Sequence, residues 1–129
     1  MVAKLRRRGT VILENSKGIL LVSGRSKRFM LPGGNARSRE PRMATAIREL
    51  YEETGLVAKE AKFLFKYDAG VSKIGGHLKH TKHKVFLIKA EGTARPRSDV
   101  KHIAFYKPGV DIKLTYTTKK ILEKYLKTK

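Results

Sequence analysis

Three glutamates, Glu49, Glu52 and Glu53, occupy positions i, i+3 and i+4 of a segment patterned as a helix. At about 100° per residue they fall on one face, within an arc of about 100°. Carboxylates stacked this closely repel one another, so a positive partner must offset the cost. A solvated acidic face is the plain alternative, but two features weigh against it. The chain has only 11 Asp and Glu among 129 residues, yet three of them sit within five positions. Glu52 and Glu53 also precede Gly55 at the predicted helix end, where the helix dipole disfavours negative charge. A hard divalent cation such as Mg²⁺, which takes oxygen ligands and keeps positions open for phosphate, accounts for the arrangement.

The elements that must hold these groups follow from the surrounding pattern. Pro41 suits a first helical turn and Gly55 a C-terminal cap, which bounds a helix from Pro41 to Thr54. Met43, Ile47, Leu50 and Thr54 lie within an arc of about 60° and are its expected core stripe. Upstream, Thr10-Val-Ile-Leu and Gly18–Ser23 flank Glu14-Asn-Ser-Lys as a hairpin, and Phe29-Met-Leu reads as a short strand ending at Pro32-Gly33-Gly34. Downstream, strands are expected at Ala61–Ala69, Val85–Ile88 and Val100–Tyr106, with loops at Val71–Lys82 and Glu91–Asp99. A final helix over about Thr117–Leu126 places Ile121, Leu122, Tyr125 and Leu126 on one stripe. The order predicts one compact α/β or α+β domain spanning residues 1–129.

Within this frame the segment from Gly34 to Leu56 resembles a complete Nudix box. Gly34, Glu40, Arg48, Glu49, Leu50, Glu52, Glu53, Gly55 and Leu56 fill every specified position of G-x5-E-x7-R-E-U-x-E-E-x-G-U, where U is aliphatic. The resemblance implies a Nudix-type α/β/α sandwich with a mixed central sheet. It also implies a hydrolase acting on acid anhydrides in phosphorus-containing compounds. Glu49, Glu52 and Glu53 would bind Mg²⁺ or Mn²⁺, helped by the carbonyl of Gly34. Arg48 would hold the glutamates by a salt bridge, and Glu40 would support the loop and helix or a second metal. Family members attack phosphorus with water activated by metal and a carboxylate. The base here would be Glu49 or Glu53, or else a later acid among Asp99, Asp68 and Glu91.

Thirty Lys and Arg against those 11 acids give a net charge of +19. Such an excess attracts polyanions. Around the box it appears as Arg37 and Arg39, where the family commonly carries an acidic residue and a glycine. These arginines either grip additional phosphates or an RNA backbone, or they are solvated. Lys79 and Lys82, expected in the second basic loop, are candidates for the same role. His77, His80 and His83 lack the cysteine or carboxylate partners of a zinc site. The leading substrates are therefore dinucleoside polyphosphates, diphosphoinositol polyphosphates, RNA 5′ ends and nucleoside triphosphates. The alternative is a basic nucleic-acid-binding or RNA-processing-associated protein that uses the same fold. With no cysteine and no apolar run of membrane-spanning length, a cytoplasmic protein with no membrane partner is expected.

Overall fold

The computed structural model describes residues 2–129. Nine elements follow in order: β1 (Lys4–Ile12), β2 (Glu14–Asn15), β3 (Gly18–Ser23), β4 (Gly33–Asn35), α1 (Arg42–Thr54), β5 (Val57–Ile74), β6 (His77–Glu91), β7 (His102–Tyr106) and α2 (Tyr116–Lys127). A mixed sheet runs β4-β1-β6-β5, and a smaller sheet runs β2-β3-β7. Among the strand pairs of the described residues only β1–β6 is parallel, and the others are antiparallel. A mixed sheet flanked by two helices is the architecture that the box resemblance implies. No helix among the described residues is long and apolar enough to cross a membrane.

Strand alternation divides the interior in two. Val11, Leu20, Phe86 and Ile88 point toward α1, where they meet Ala46 and Leu50. Their neighbours Ile12, Ile19, Leu21 and Val85 point the other way, onto Ile121, Leu122 and Tyr125 of α2. All six residues of β3 are buried because it contributes to both layers. Burial on two faces removes the alternation that marks a half-exposed strand.

The carboxylate helix begins one residue after Pro41 and ends at Gly55, whose φ of 79° and N–H to Tyr51 O (2.8 Å) form the left-handed cap. Its buried stripe, however, is Thr45, Ala46, Leu50 and Thr54. Met43 and Ile47, expected in the core, are each 36% exposed. The helix is rotated so that small residues meet the sheet. Gly9 of β1 makes this possible, because a Cβ there would collide with Arg42 O and lie 2.8 Å from Ala46 N. Close backbone approach thus replaces packing by large side chains.

Three further expectations change. The segment Val71–Lys82 is not a loop: β5 runs on to Ile74 and β6 starts at His77, so only Gly75 and Gly76 turn, with φ of 58° and 82°. Two consecutive positive-φ residues match the twist of a tight hairpin. β1 likewise starts at Lys4 rather than Thr10, with Lys4–Ile12 paired in parallel to Lys79–Leu87. The strand expected at Phe29–Leu31 makes single bridges only, Met30 to Val22 and Phe29 to Leu114.

Candidate active site

The site forms where α1 crosses β4. Gly33 and Gly34 pair with Thr10 and Gly9 on β1, which holds them under the C-terminal half of the helix. The side chain of Glu49 occupies the space that a Cβ on Gly34 would fill. The amide of Gly33 donates to Glu53 Oε1 (3.1 Å). Neither glycine could carry a side chain without displacing its partner, since a Cβ on Gly33 would strike Gly9 O.

Arg48 organises the rest. Its Nε and Nη2 donate to the two oxygens of Glu40, both at 2.9 Å. Its Nη1 donates to Glu49 Oε1 (2.9 Å) and Glu52 Oε1 (2.7 Å), and Nη2 also reaches Asn35 O (3.3 Å). This planar fork fixes three carboxylates at once, which an ammonium could not do. Glu40 additionally accepts from Thr45 Oγ1 (2.8 Å) and the Arg37 amide (3.0 Å). Hydrogen bonding to Arg48 above all, then to the Arg37 amide, holds its carboxyl far below the usual range. Glu40 therefore faces Arg48, pinning the loop 36–41 to the helix.

Glu53 has the opposite electrostatics. Burial, reinforced by Glu49 and Glu52, pushes its carboxyl up to about 7, while the Gly33 amide and Arg8 pull it down. A buried acid beside two others is relieved by a cation placed among them. The donor set is all oxygen, matching hard Mg²⁺ or Mn²⁺. The carboxylates are not drawn to one point, and among the described residues no three acids or histidines have metal-ligand convergence. Arg48 holds Glu49 and Glu52, and Glu53 is turned to Gly33, so ligation by all three requires side-chain rotation.

A cavity of about 390 Å³ opens over these groups, lined by Glu49, Glu52 and Glu53 on one side and by Arg97, Ser98 and Asp99 on the other. The loop carrying the latter docks on the helix end: Arg95 N donates to Thr54 O (3.0 Å) and Arg97 N to Glu53 O (3.1 Å). Arg97 Nη1 reaches Tyr51 O (3.2 Å), and its guanidinium lies 4.7 Å from the Tyr51 ring centroid. Unsatisfied C-terminal carbonyls and a cation at the negative helix end explain the docking. Of the three later acids, only Asp99 lines this cavity. Asp68 is bound to His80 Nε2 and the Gly70 amide, and Glu91 faces Lys59.

Arg37 reaches the rim, 3.9 Å from Glu52 Oε2. Arg39 adopts φ 63°, the left-handed conformation for which glycine is suited. Lys79 and Lys82 do not form one loop beside the carboxylates. Both lie on β6, where Lys79 pairs with Ser72 and Lys82 with Asp68, and an interval of three puts them on opposite faces.

A second cavity, of about 350 Å³, lies on the α2 side of the mixed sheet; of its polar residues only His83 was singled out by the sequence, and Arg6, Arg8 and Thr81 were not. Arg6, Arg8, Thr81 and His83 supply its polar floor, and Met30, Leu31, Ile74 and Ile121 its apolar walls. His83 Nδ1 pairs with Thr10 Oγ1 (2.8 Å), and Arg6 donates to Thr81 Oγ1 (3.4 Å). Burial first, then Arg8 and Arg6, lowers the imidazole to about 4, so His83 is neutral near pH 7. Arg8, which lines this cavity, acts through its charge on both Glu53 and His83.

Residues 4–119 match the NUDIX domain family model. A nudix hydrolase family member from Chromobacterium violaceum is 33% identical, with a TM-score of 0.81 over 98% of this chain and 80% of that one. A MutT NUDIX hydrolase from Burkholderia pseudomallei shares 22% identity at a TM-score of 0.75, over 93% and 97% of the two chains. A bifunctional NMN adenylyltransferase/ADP ribose pyrophosphatase from Francisella tularensis, complexed with AMP and a Mn ion, shares 15% at 0.70, over 98% of this chain and 42% of that one. No curated protein sequence matches the chain significantly. The filled box, the geometry around Arg48 and a family match across most of the sequence agree: this chain belongs to the Nudix family and is a hydrolase of pyrophosphate bonds.

Proposed function

We propose that this domain is a metal-dependent pyrophosphohydrolase that cleaves a phosphoanhydride bond in a nucleoside-diphosphate-linked or polyphosphorylated substrate. The observation carrying this reading is the disposition of acids and bases about two cavities. Glu49, Glu52, Glu53 and Asp99 line one, Arg6, Arg8 and His83 line the other, and the Arg8 charge also acts on Glu53. Mg²⁺ or Mn²⁺ held by Glu49, Glu52, Glu53 and the Gly34 carbonyl would neutralise charge on the phosphates and acidify bound water. The protein's own part is positioning. Arg48 keeps Glu49 and Glu52 aligned, Gly33 and Gly34 keep Glu49 and Glu53 close to the sheet, and the 95–100 loop closes the far wall. A carboxylate oxygen of Glu49, Glu53 or Asp99 would take the proton of the attacking water.

Substrate charge would be met in two places. Arg37, at the rim beside Glu52, and Arg39 in the same loop would meet it on one side, whereas Arg6 and Arg8 enter from β1. Apolar walls with a few convergent polar groups suit the non-reacting part of a ligand. Lys79, on the same face as Thr81 and His83, can contribute from the outer end, while Lys82 points away. Inorganic phosphate release, with Mg²⁺ and a coupled phosphatase for products that remain esterified, should be screened over dinucleoside polyphosphates, inositol pyrophosphates, nucleoside triphosphates and 5′-triphosphorylated RNA. Turnover should vanish in excess EDTA and in Glu53→Gln with secondary structure unchanged. Activity that persists under either condition would rule out the metal assignment.

A further inference from the structure

The mixed sheet is longer than the helix that covers it. α1 starts at Arg42, which sits over Gly9, and runs from there toward the buried end of β1. On that side the outer sheet, Lys4–Arg8 of β1 with His77–Lys84 of β6 and Lys66–Ile74 of β5, carries no helix. Residues that share this face by pairing are Arg7 with Lys82, and Lys66 with Lys84. Arg7, Arg42, Lys66 and Lys84 surround a cleft of about 310 Å³ with Phe63 and Met43. Phe63 is 44% exposed. Its ring packs edge-on against buried Phe86 (centroids 5.7 Å apart), and Lys84 Nζ stands 5.9 Å from its centroid.

The cations here are not compensated. Among the described residues none of Arg7, Arg42, Lys66 and Lys84 lies within ion-pair distance of a carboxylate. Arg42 and Lys66, with Arg7, disfavour the charged form of Lys84, Arg42 acting most strongly. Asp68, the cross-strand partner of Lys82, is engaged by His80 and the Gly70 amide, and Glu40 by Arg48. Cations crowded without acids lose free energy unless an external anion joins them. A folded chain has no internal need for such a cluster, because lysines could be spread over the surface. Nor is a simple anion enough, since a partly exposed aromatic ring also lines the cleft.

We propose that this uncovered sheet face binds single-stranded nucleic acid, with Arg7, Arg42, Lys66, Lys82 and Lys84 on the phosphates and Phe63 stacked on a base. Cationic grooves that track a backbone, interrupted by aromatic rings on which bases stack, are the recurrent chemistry of single-strand recognition. A duplex is a poorer fit because its base faces are already stacked on one another. The surface is separate from the carboxylates. Glu49 to Glu53 lie 7 to 11 positions along α1 from Arg42, or roughly 10–16 Å at the helical rise. The inference does not depend on which anhydride the enzyme cleaves.

Fluorescence anisotropy in EDTA, where turnover cannot contribute, tests it with fluorescein-labelled 20-nucleotide oligouridylate and oligothymidylate. Both strands should bind, and a duplex of the same length should bind more weakly. Arg7→Gln/Lys84→Gln should weaken single-strand affinity about tenfold or more and lower the salt slope by about 1.4, or about 0.7 per lost phosphate contact. Lys119→Gln/Lys127→Gln, which removes the same charge from exposed positions on α2, should change affinity less than twofold. Phe63→Leu keeps apolar contact with Phe86 and should lose about tenfold in affinity with the salt slope unchanged. Equal losses from the two charge pairs would reduce the effect to net charge and overturn the site. So would unchanged binding by Phe63→Leu, or sedimentation with phosphatidylserine vesicles without binding to either oligonucleotide.

Discussion

Replacing Gly9 by alanine adds one methyl group at the point where β1, β4 and α1 meet. The new Cβ would overlap Arg42 O, stand 2.8 Å from Ala46 N and 3.0 Å from Thr45 Cβ. All three belong to the helix, so no flexible side-chain tip can swing away. Relief requires α1 to retreat by roughly 0.5–1 Å, set against the ordinary carbon contact of about 3.5 Å. Gly9 is also the sheet partner of Gly34, whose missing side chain admits Glu49. Lifting the helix therefore separates Glu49 and Glu53 from Gly34 and Gly33. Overpacking of this kind costs about 1–3 kcal/mol of stability, and a displacement near 1 Å at a reacting centre costs about 10²-fold in rate. Urea denaturation and steady-state kinetics on the best substrate from the screen would read the two effects. Gly24→Ala, whose added Cβ meets only Asp99 O at 3.6 Å, is the control. A Gly9→Ala enzyme with wild-type midpoint and kcat would refute the claim that close backbone approach sets the site.

Arg48→Lys should retain the fold but lower kcat more than tenfold, with KM little changed, because an ammonium cannot bridge Glu40, Glu49 and Glu52 together; equal kcat in the two proteins would remove its positioning role. Arg39→Gly should raise stability by about 1 kcal/mol, by releasing a left-handed non-glycine residue, and should raise KM for polyphosphorylated substrates if the guanidinium meets them. A thermal melt that does not rise would contradict the strain. His83 is buried with its imidazole lowered to about 4, against about 6.5 in an unfolded chain. Its contribution is thus present above pH 6.5 and lost as pH falls toward 4, on the order of 2 kcal/mol at pH 5. His83→Gln should flatten that part of the urea-midpoint profile relative to wild type, and parallel profiles from pH 7 to 5 would exclude the buried neutral imidazole.

The carboxylate helix was legible in the chain because its pattern is local. The glutamates proposed as ligands, the arginine that aligns them and the capping glycine lie within 23 consecutive residues, and one helix converts their spacing directly into a face. The C-terminal helix was legible for a similar reason, since Ile121, Leu122 and Tyr125 are buried as its stripe requires. The inner face of α1 was not. Its packing depends on a glycine 33 positions before Arg42, which lets Thr45 and Ala46 enter the core in place of Met43 and Ile47. The hairpin across residues 71–82 was hidden because polar side chains emerge on both faces, leaving no hydrophobic period to read. Tertiary structure alone decided what surrounds the carboxylates. Thr10 meets His83 across 73 residues, Arg97 reaches Tyr51 across 46, and Asp99 rather than Asp68 or Glu91 enters the cavity. Sequence spacing determines which groups one helix can present together; which strands and loops then face that helix is set by sheet pairing and by backbone donors reaching its last carbonyls.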